Sequence, residues 1–256
     1  MPGTVVITRP LAQALPLAAQ VRALGRDVEV LPLLDIAPLP DQAALIATLA
    51  RLADYALVAF VSPNAIDAAF AHIERWPAGV TLAVLGEGSR AALAAHGITA
   101  PDVQIVSPAD AEKSDSEHLL QTLDLAALRG RRVLIVRGEA GRELMADGLR
   151  AAGADVTTIA AYRRSVPALT PALRARLAAL LQTPNDWIVT SSEALRGLLQ
   201  LLAAMGMDDF VAKMQQQQLI VPHARIAATA HELGLHHVTL TGSGDERLLA
   251  ALQSRP

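Results

Sequence analysis

The chain has 256 residues, of which 52% are hydrophobic and 3% aromatic, and it carries a formal net charge of −3 with no cysteine. There is no basic tract and there are few aromatic residues, so the sequence lacks the charge and stacking surfaces typical of nucleic-acid-binding proteins. The missing cysteines exclude disulfides, Cys-ligated metal centres and a thiolate nucleophile. No run reaches the ~18 apolar residues of a membrane span. Residues 4–8 predict a strand in place of a leader, so we expect a cytoplasmic protein.

Short apolar runs alternate with amphipathic helical patterns along the whole chain, which is typical of an α/β protein with parallel sheets. The clearest unit spans 131–162, where a β-branched strand at 133–136 is followed by a helix that ends at Gly153 and a strand at 156–160. The length allows one large core or two ordinary ones, and we expect two. Further strands are predicted at 5–7, 28–31, 57–61, 81–85, 103–106, 187–189, 219–221 and 238–240. Ser114, Thr170 and Ser243 are predicted to cap the helices that follow them, and the glutamine run 215–218 is predicted to be an exposed loop or helix end.

The sequence also repeats itself at half its length. Arg9 and Arg137 are 128 residues apart, and the same offset relates Gly25 to Gly153. This offset predicts an internal duplication and two similar α/β domains, although any two α/β segments share some apolar periodicity. Two extended, proline-bearing segments, at 32–40 and 163–167, are predicted to be connectors.

Hydroxyl-bearing residues follow two of the predicted strands, where the next helix begins. Ser62 and Asn64 come after the strand at 57–61, and Thr190, Ser191 and Ser192 after the strand at 187–189. Their side chains and the free amides of the first helical turn can hold a carboxylate or phosphate. Simple helix capping is the other interpretation.

A third turn of this kind contains Gly86 and Ser89. It lacks the full dinucleotide fingerprint, and the chain has no phosphate-loop Lys-Ser/Thr pair, so nucleotide binding is only weakly indicated. His223 and His231 lie about two helical turns apart without a third ligand at matching spacing, so we expect no metal site and no cofactor.

Two arginines occupy equivalent strand ends in the two halves. Arg9 follows Thr8, and Arg137 precedes Gly138. Ligands bind at the carboxyl ends of parallel strands, where a guanidinium can grip a carboxylate through two hydrogen bonds. Ion pairing at the surface is the alternative for both arginines.

The order and spacing of several motifs resemble the uroporphyrinogen-III synthase family over nearly the whole chain. The motifs are VVITRP at 5–10, LPLLDIAP at 31–38, LVAFVSPNAI at 57–66, AVLGEGSRAAL at 83–93, VLIVRGEAGRELMADGLRAAGADV at 133–156, AAYRR at 160–164 and WIVTSSEALRGLL at 187–199. The resemblance implies two doubly wound α/β domains, the first formed by 1–36 with 165–256 and the second by 37–164. It also implies an active site in the cleft between them.

The implied reaction is the cyclisation of hydroxymethylbilane, a linear tetrapyrrole, to uroporphyrinogen III, with loss of water and inversion of the last ring. The family's recurrent tyrosine falls on Tyr162, which would donate a hydrogen bond to the departing hydroxyl group. The alternative is that Tyr162 is an amphipathic residue of the connector. Neither a metal nor a cofactor is implied, and we expect a monomer.

One motif departs from the family's pattern. Where a Gly-Pro-Thr-Thr-like run is usual, this chain has Val221, Pro222, His223, Ala224 and Arg225. His223 or Arg225 would then replace the threonines as donors to a substrate carboxylate, or the turn would not touch the substrate. A non-catalytic two-domain receptor that closes on a small anionic ligand is the alternative function.

Overall fold

The computed structural model of the protein describes residues 3–108, 115–207 and 209–254. The strands, in chain order, are β1 (Val5–Ile7), β2 (Val28–Val30), β3 (Asp35–Pro38), β4 (Leu57–Phe60), β5 (Thr81–Val84), β6 (Ile105–Val106), β7 (Arg132–Gly138), β8 (Asp155–Ser165), β9 (Asp186–Ile188), β10 (Gln218–Val221) and β11 (Val238–Leu240). The helices are α1 (Leu11–Ala23), α2 (Ala43–Leu49), α3 (Pro63–Phe70), α4 (Glu87–Ala95), α5 (Ser116–Thr122), α6 (Leu144–Ala151), α7 (Pro171–Leu180), α8 (Ser192–Ala204), α9 (Phe210–Met214), α10 (Ala224–Glu232) and α11 (Asp245–Gln253).

The chain divides into two compact units. The first unit consists of Met1–Asp35 and Ser165–Pro256, and the second unit of Ile36–Arg164. Each unit contains one sheet, and the predicted α/β class with two parallel-sheet units is confirmed. That the segments 1–36 with 165–256 and 37–164 act as separate domains stays a prediction.

The sheet of the first unit has the strand order β11-β10-β9-β1-β2, and all four pairings are parallel. Its central strands are buried on both faces, because successive side chains point in opposite directions and both sides carry helices. Val6 and Trp187 pack on one side with α7, α8 and α10, and Ile7 and Ile188 on the other with α1 and α11. This explains why the central strands of the first unit read as continuous apolar runs.

The sheet of the second unit has the order β3-β8-β7-β4-β5-β6. Pairings β8-β7, β7-β4, β4-β5 and β5-β6 are parallel. Val58 and Val136 face a core that includes side chains of α2, α3 and α4, whereas Leu57 and Ile135 face a core with α5 and α6. The second unit is therefore covered on both faces too.

The two predicted connectors are extended, but they are also part of the second sheet. Residues 35–38 of the segment 32–40 form β3, which is hydrogen-bonded beside β8 at the edge of the sheet. The segment 163–167 begins as the last residues of β8. Paired backbone groups distinguish these segments from free linkers.

The predicted repeat is visible in the strand order. Read from one edge, the first sheet runs β2-β1-β9-β10-β11 and the second β8-β7-β4-β5-β6 after its edge strand. An offset of 128 places β1 on β7, β2 on β8, and β4 on β9. Apart from the edge strand β3, each sheet therefore combines two strands from one half of the chain with three from the other half.

Three local predictions need correction or fall outside the described residues. The glutamine run 215–218, predicted as an exposed loop or helix end, enters β10, and Gln217 is 1% exposed. Ser243 was predicted to cap α11, but the N-cap is Gly244. Ser114, predicted to cap α5, lies outside the described residues; Asp115 caps this helix by accepting a hydrogen bond from the backbone N–H of His118.

Buried polar groups join the amino ends of β1, β9 and β10 in the first unit. The Asn185 side chain accepts a hydrogen bond from the Thr4 backbone N–H at 2.9 Å and donates to the carbonyls of Leu180 and Thr183 at 2.6 and 2.9 Å. The Oε1 of Gln217 accepts from the Asn185 backbone N–H and, at 3.1 Å, from the indole Nε1 of Trp187. These bonds satisfy polar groups that burial would otherwise leave unpaired.

We expect Asn185→Ala to destabilise the first unit by about 2 kcal/mol or more, because it leaves a backbone N–H and two carbonyls without their partner. The measurement is the free energy of unfolding from urea titration. Gln182→Ala is the matched control, since its carboxamide donates to the Ala178 carbonyl in an exposed place of the same segment. A loss for Asn185→Ala no larger than that of the control contradicts a stabilising role for the Asn185 bonds.

Candidate functional site

The candidate residues of the second unit lie at one edge of its sheet. Ser62 follows β4, Gly86 follows β5, Gly138 ends β7, and Tyr162 lies near the end of β8. Because these four strands are parallel, their carboxyl ends meet at the same edge, where α/β proteins bind ligands. The structure thus brings these predicted residues to one side of the second unit.

Tyr162 and Ser62 are in direct contact. The Tyr162 hydroxyl lies 3.1 Å from the Ser62 Oγ, which also accepts a hydrogen bond from the Ala65 backbone N–H as the N-cap of α3. Tyr162 is 3% exposed, and its ring belongs to the core of the second unit. The ring is therefore held by packing, and the hydroxyl is a polar group at the end of a rigid side chain.

A bulge between β7 and β8 sets the direction of Tyr162. Arg137 pairs with Ala160, but Gly138 pairs with Tyr162, so Ala161 is the extra residue. A bulge of this kind redirects side chains, and Ala161 and Tyr162 are both buried although they are neighbours in a strand. Tyr162 gains its inward position from this irregularity.

Gly138 provides the space that the Tyr162 ring occupies. A Cβ atom at residue 138 would lie 3.1 Å from Cζ and 3.3 Å from the hydroxyl oxygen of Tyr162. These distances are tighter than ordinary van der Waals contact, so any larger residue at 138 would push the phenol aside. The backbone N–H of Glu139 donates to the Tyr162 carbonyl at 2.8 Å and fixes the same turn.

The two arginines at equivalent strand ends both form ion pairs within the chain. The Nη1 of Arg9 lies 2.7 Å from the Asp245 carboxylate, and the Nη2 of Arg137 lies 2.5 Å from that of Glu143. Arg137 also donates to the Arg142 carbonyl at 3.1 Å. Ion pairing, the alternative considered for both residues, describes their geometry in this structure.

Hydroxyl groups line the carboxyl edge of the sheet in the first unit. Thr8 is 2% exposed and donates to the Ile188 carbonyl at 2.8 Å. Ser191 is the N-cap of α8 and accepts from a backbone N–H, whereas Ser192 accepts from the Thr229 hydroxyl at 3.0 Å. Capping is thus observed for Ser191, as it is for Ser62. Thr190 lies between the strand end and this cap and is half-buried.

The remaining candidates lie at the starts of helices. His223 occupies the N-cap position of α10, with its Nδ1 3.5 Å from the Ser243 Oγ, and Arg225 is exposed in the first turn of the same helix. Asn64 lies in the first turn of α3 and is half-buried. Ser89 is 4% exposed, so its side chain points into the second unit.

Sequence reasoning missed one polar pair at the edge that carries Gly86. The guanidinium of Arg90 in α4 donates to the Oγ of Ser107, which follows β6. The two residues come together only because β6 lies beside β5 in the sheet. No local pattern in the sequence signals this contact.

Among the described residues, no three or more His, Asp or Glu side chains come close enough to hold a metal ion. No helix in the described part of the chain combines the length and apolar character needed to cross a membrane.

Comparison with protein families and curated sequences gives a consistent result. The family model described as "Uroporphyrinogen-III synthase HemD" matches residues 16–245. The uroporphyrinogen-III synthase of Salmonella typhimurium is 31% identical over 98% of this chain and all of its own length. The synthase of Escherichia coli is 30% identical, with the same coverage.

Comparison with solved structures supports the fold. The uroporphyrinogen-III synthetase of Helicobacter pylori aligns over the full length of both chains with a TM-score of 0.62 and 15% identity. A mutant synthase of Thermus thermophilus aligns over 99% of this chain and all of its own with a TM-score of 0.58 and 17% identity.

The family match and the curated relatives confirm the resemblance drawn from the sequence motifs, and they favour an enzyme over the non-catalytic receptor. The match covers most of the chain and includes both units. The chain belongs to the uroporphyrinogen-III synthase family.

Proposed function

We propose that this chain cyclises hydroxymethylbilane to uroporphyrinogen III, and that the Tyr162 hydroxyl assists the departure of water from the substrate. Membership of the family supports the reaction. The observation that supports the residue assignment is the 3.1 Å contact between the hydroxyls of Tyr162 and Ser62 at the carboxyl edge of the second sheet.

The chemistry asks mainly for positioning. Free hydroxymethylbilane is reactive and closes without inverting its last ring. The enzyme therefore has to hold the linear tetrapyrrole in a folded conformation in which the substituted carbon of that ring attacks first. The bond between the terminal carbon and its hydroxyl oxygen breaks, and the oxygen leaves as water after it gains a proton. A phenol hydroxyl donates a hydrogen bond to such an oxygen.

The contacts of Tyr162 suit this role. Core packing fixes the ring, the Gly138 space sets its place, and Ser62 holds the hydroxyl until a substrate oxygen replaces it. A group whose direction is fixed before the reaction loses little entropy when it acts. The competing role is structural: the Tyr162 hydroxyl would only form a hydrogen bond with the Ser62 hydroxyl inside the fold and would not contact the substrate.

The substrate carries many carboxylates, whereas the chain has only 22 basic residues. Helix amino ends and backbone amides suit carboxylates, because their unpaired N–H groups and the helix dipole favour negative charge. In the proposal, the substrate is held by residues at strand ends and helix starts: Thr8, Arg9, Ser62, Asn64, Gly86, Ser89, Arg137, Gly138, Thr190, Ser191, Ser192, His223 and Arg225. The protein acts as a cytoplasmic monomer without a metal or cofactor.

An isomer assay tests the proposed reaction. Hydroxymethylbilane is generated in situ, the purified protein is added, and the oxidised products are separated by chromatography into porphyrin isomers I and III. Predominant isomer III, formed at protein concentrations far below that of the substrate, is the expected result. Isomer I formed at the rate seen without protein, from a folded sample, would overturn the proposal.

We expect Tyr162→Phe to lower kcat by more than about tenfold, because the donor to the leaving oxygen is removed. The phenyl ring keeps its place in the core, so the free energy of unfolding should fall by only about 1 kcal/mol for the lost hydrogen bond. The readouts are the rate of isomer III formation and a urea titration.

Tyr55→Phe is the matched control. Tyr55 is the other tyrosine of the chain, it is 5% exposed, and its hydroxyl lies 3.5 Å from the Arg132 Nη2 before the amino end of β4. Its removal should leave kcat unchanged. Near-normal turnover of Tyr162→Phe would assign Tyr162 the structural role alone.

Gly138→Ala should lower kcat while leaving both the hydroxyl and the ring of Tyr162 in the protein. The added Cβ displaces the phenol by a few tenths of an ångström, and misplacement of a catalytic group reduces rate steeply. Gly141→Ala is the control, because a Cβ at residue 141 of the same turn meets only the Arg137 side chain, at 3.6 Å or more. Equal rates for the two variants would show that the exact place of the phenol is unimportant.

Arg225→Ala should raise KM more than it lowers kcat, because a residue that grips a substrate carboxylate binds substrate and transition state alike. Arg22→Ala serves as the control, since Arg22 is an exposed arginine in the last turn of α1, away from the strand ends. An unchanged KM for Arg225→Ala would remove Arg225 from the substrate-binding residues.

A further inference from the structure

Arg90 is a half-buried arginine at the same sheet edge as Tyr162 and Gly86. It lies in the first half of α4, and its backbone N–H donates to the Gly86 carbonyl at 3.1 Å. Its Nε and Nη2 donate to the Ser107 Oγ at 2.9 and 2.6 Å. Two N–H groups of the guanidinium therefore donate hydrogen bonds to the same uncharged hydroxyl oxygen of Ser107, and this contact fixes the orientation of the Arg90 side chain.

The charge of Arg90 has no counterpart in the described part of the protein. No carboxylate there lies within ion-pair distance of it, although Glu87 lies one turn earlier on α4, whereas Arg9 and Arg137 each have a carboxylate partner. The Nη1 atom has no hydrogen-bond partner among the described residues, and it is not one of the buried unpaired atoms. The Nη1 end of the guanidinium is thus not fully buried and has no protein partner among the described residues, and Ser107 orients it.

The sheet fixes how far this edge is from Tyr162. Ser62 follows β4 and Ser107 follows β6, with β5 between the two strands. Neighbouring strands are roughly 4.8 Å apart, so Arg90 lies about 10 Å along the sheet edge from the contact between Ser62 and Tyr162. This separation exceeds the size of one pyrrole ring and matches the reach of a folded tetrapyrrole.

We propose that Arg90, oriented by Ser107, binds a carboxylate of the substrate on a pyrrole ring away from the reacting one. A carboxylate accepts two parallel hydrogen bonds from the Nη1 and Nη2 edge of a guanidinium, and such pairs combine charge with geometric specificity. The inference rests on the proposed function, because that substrate carries carboxylates on the rings that adjoin the reacting one. Arg90 is a positioning residue that holds this pyrrole ring of the substrate in place while the last ring is inverted.

The competing explanation is that Arg90 only ties α4 to the end of β6. A structural tie affects stability and, through it, the amount of active protein. A carboxylate ligand affects KM, because the bond to a distant ring is the same in the ground state and the transition state. The two roles therefore differ in a quantity that steady-state kinetics can measure.

The test compares Arg90→Gln, Arg90→Lys and Arg75→Gln in the full chain, with hydroxymethylbilane generated in situ. Arg75 is an exposed arginine between α3 and β5, at the opposite edge of the same sheet, and it serves as the charge-matched control. We expect Arg90→Gln to raise KM by about tenfold or more at an unchanged kcat. Arg90→Lys, which keeps the charge without the fork, should recover part of the loss, and Arg75→Gln should match the parent protein.

Ionic strength provides an independent readout. The KM of the parent protein should rise with salt more steeply than that of Arg90→Gln, because salt screens an exposed charge pair. A KM for Arg90→Gln within about twofold of the Arg75→Gln value, or a lower melting temperature and kcat at unchanged KM, would overturn the proposal. If the parent protein forms only isomer I, the proposed function fails first, so the two failures are distinguishable.

Discussion

The parallel arrangement of the strands is the constraint on which the candidate site depends. Strands that run in one direction bring all their carboxyl ends, and the helix starts that follow, to one edge of the sheet. In the second unit this edge brings together residues that follow β4, β5, β7 and β8. Ser62 and Tyr162, which are in contact there, are 100 residues apart in the sequence. Buried polar bonds at the opposite edge of the first sheet, around Asn185 and Gln217, hold the amino ends of its strands in register. The candidate site of the second unit thus lies at the carboxyl ends of its strands, and the buried polar bonds of the first unit lie at the amino ends of its strands.

One irregularity refines this regular arrangement. A perfect alternation along β8 would place Ala161 and Tyr162 on opposite faces, but the bulge opposite Gly138 lets both be buried. Gly138 and the bulge at Ala161 both position Tyr162. Gly138 leaves the space that the phenol ring occupies, and the bulge directs the ring into that space. In this way an ordinary α/β sheet presents a phenol hydroxyl at its edge without an additional loop.

Most of the fold and part of the site followed from the sequence, for physical reasons that differ between elements. Buried parallel strands such as β4 and β7 are continuous apolar runs, and helix caps such as Thr170 before Pro171 depend on neighbouring residues, so local patterns predict them. The burial of Gln217 was missed because a run of glutamines usually lies in solvent, and only the indole of Trp187 and the backbone of Asn185 explain its place. The contact between Arg90 and Ser107 was missed because it depends on strand order. For Arg9 and Arg137 the sequence left both ligand binding and ion pairing open, because the position of a carboxylate partner depends on the fold.

The exchange of strands between the two halves of the chain also affects synthesis on the ribosome. The second unit is one continuous segment, so all its strands are available once residue 164 has emerged. The first unit begins with β1 and β2 but completes its sheet only with β9, β10 and β11. At roughly 5–20 residues per second, β1 and β2 wait on the order of 10 s for β9 to be made. During that time β1, an apolar central strand, has its β9 side unpaired, and an exposed strand edge of this kind favours pairing with other chains.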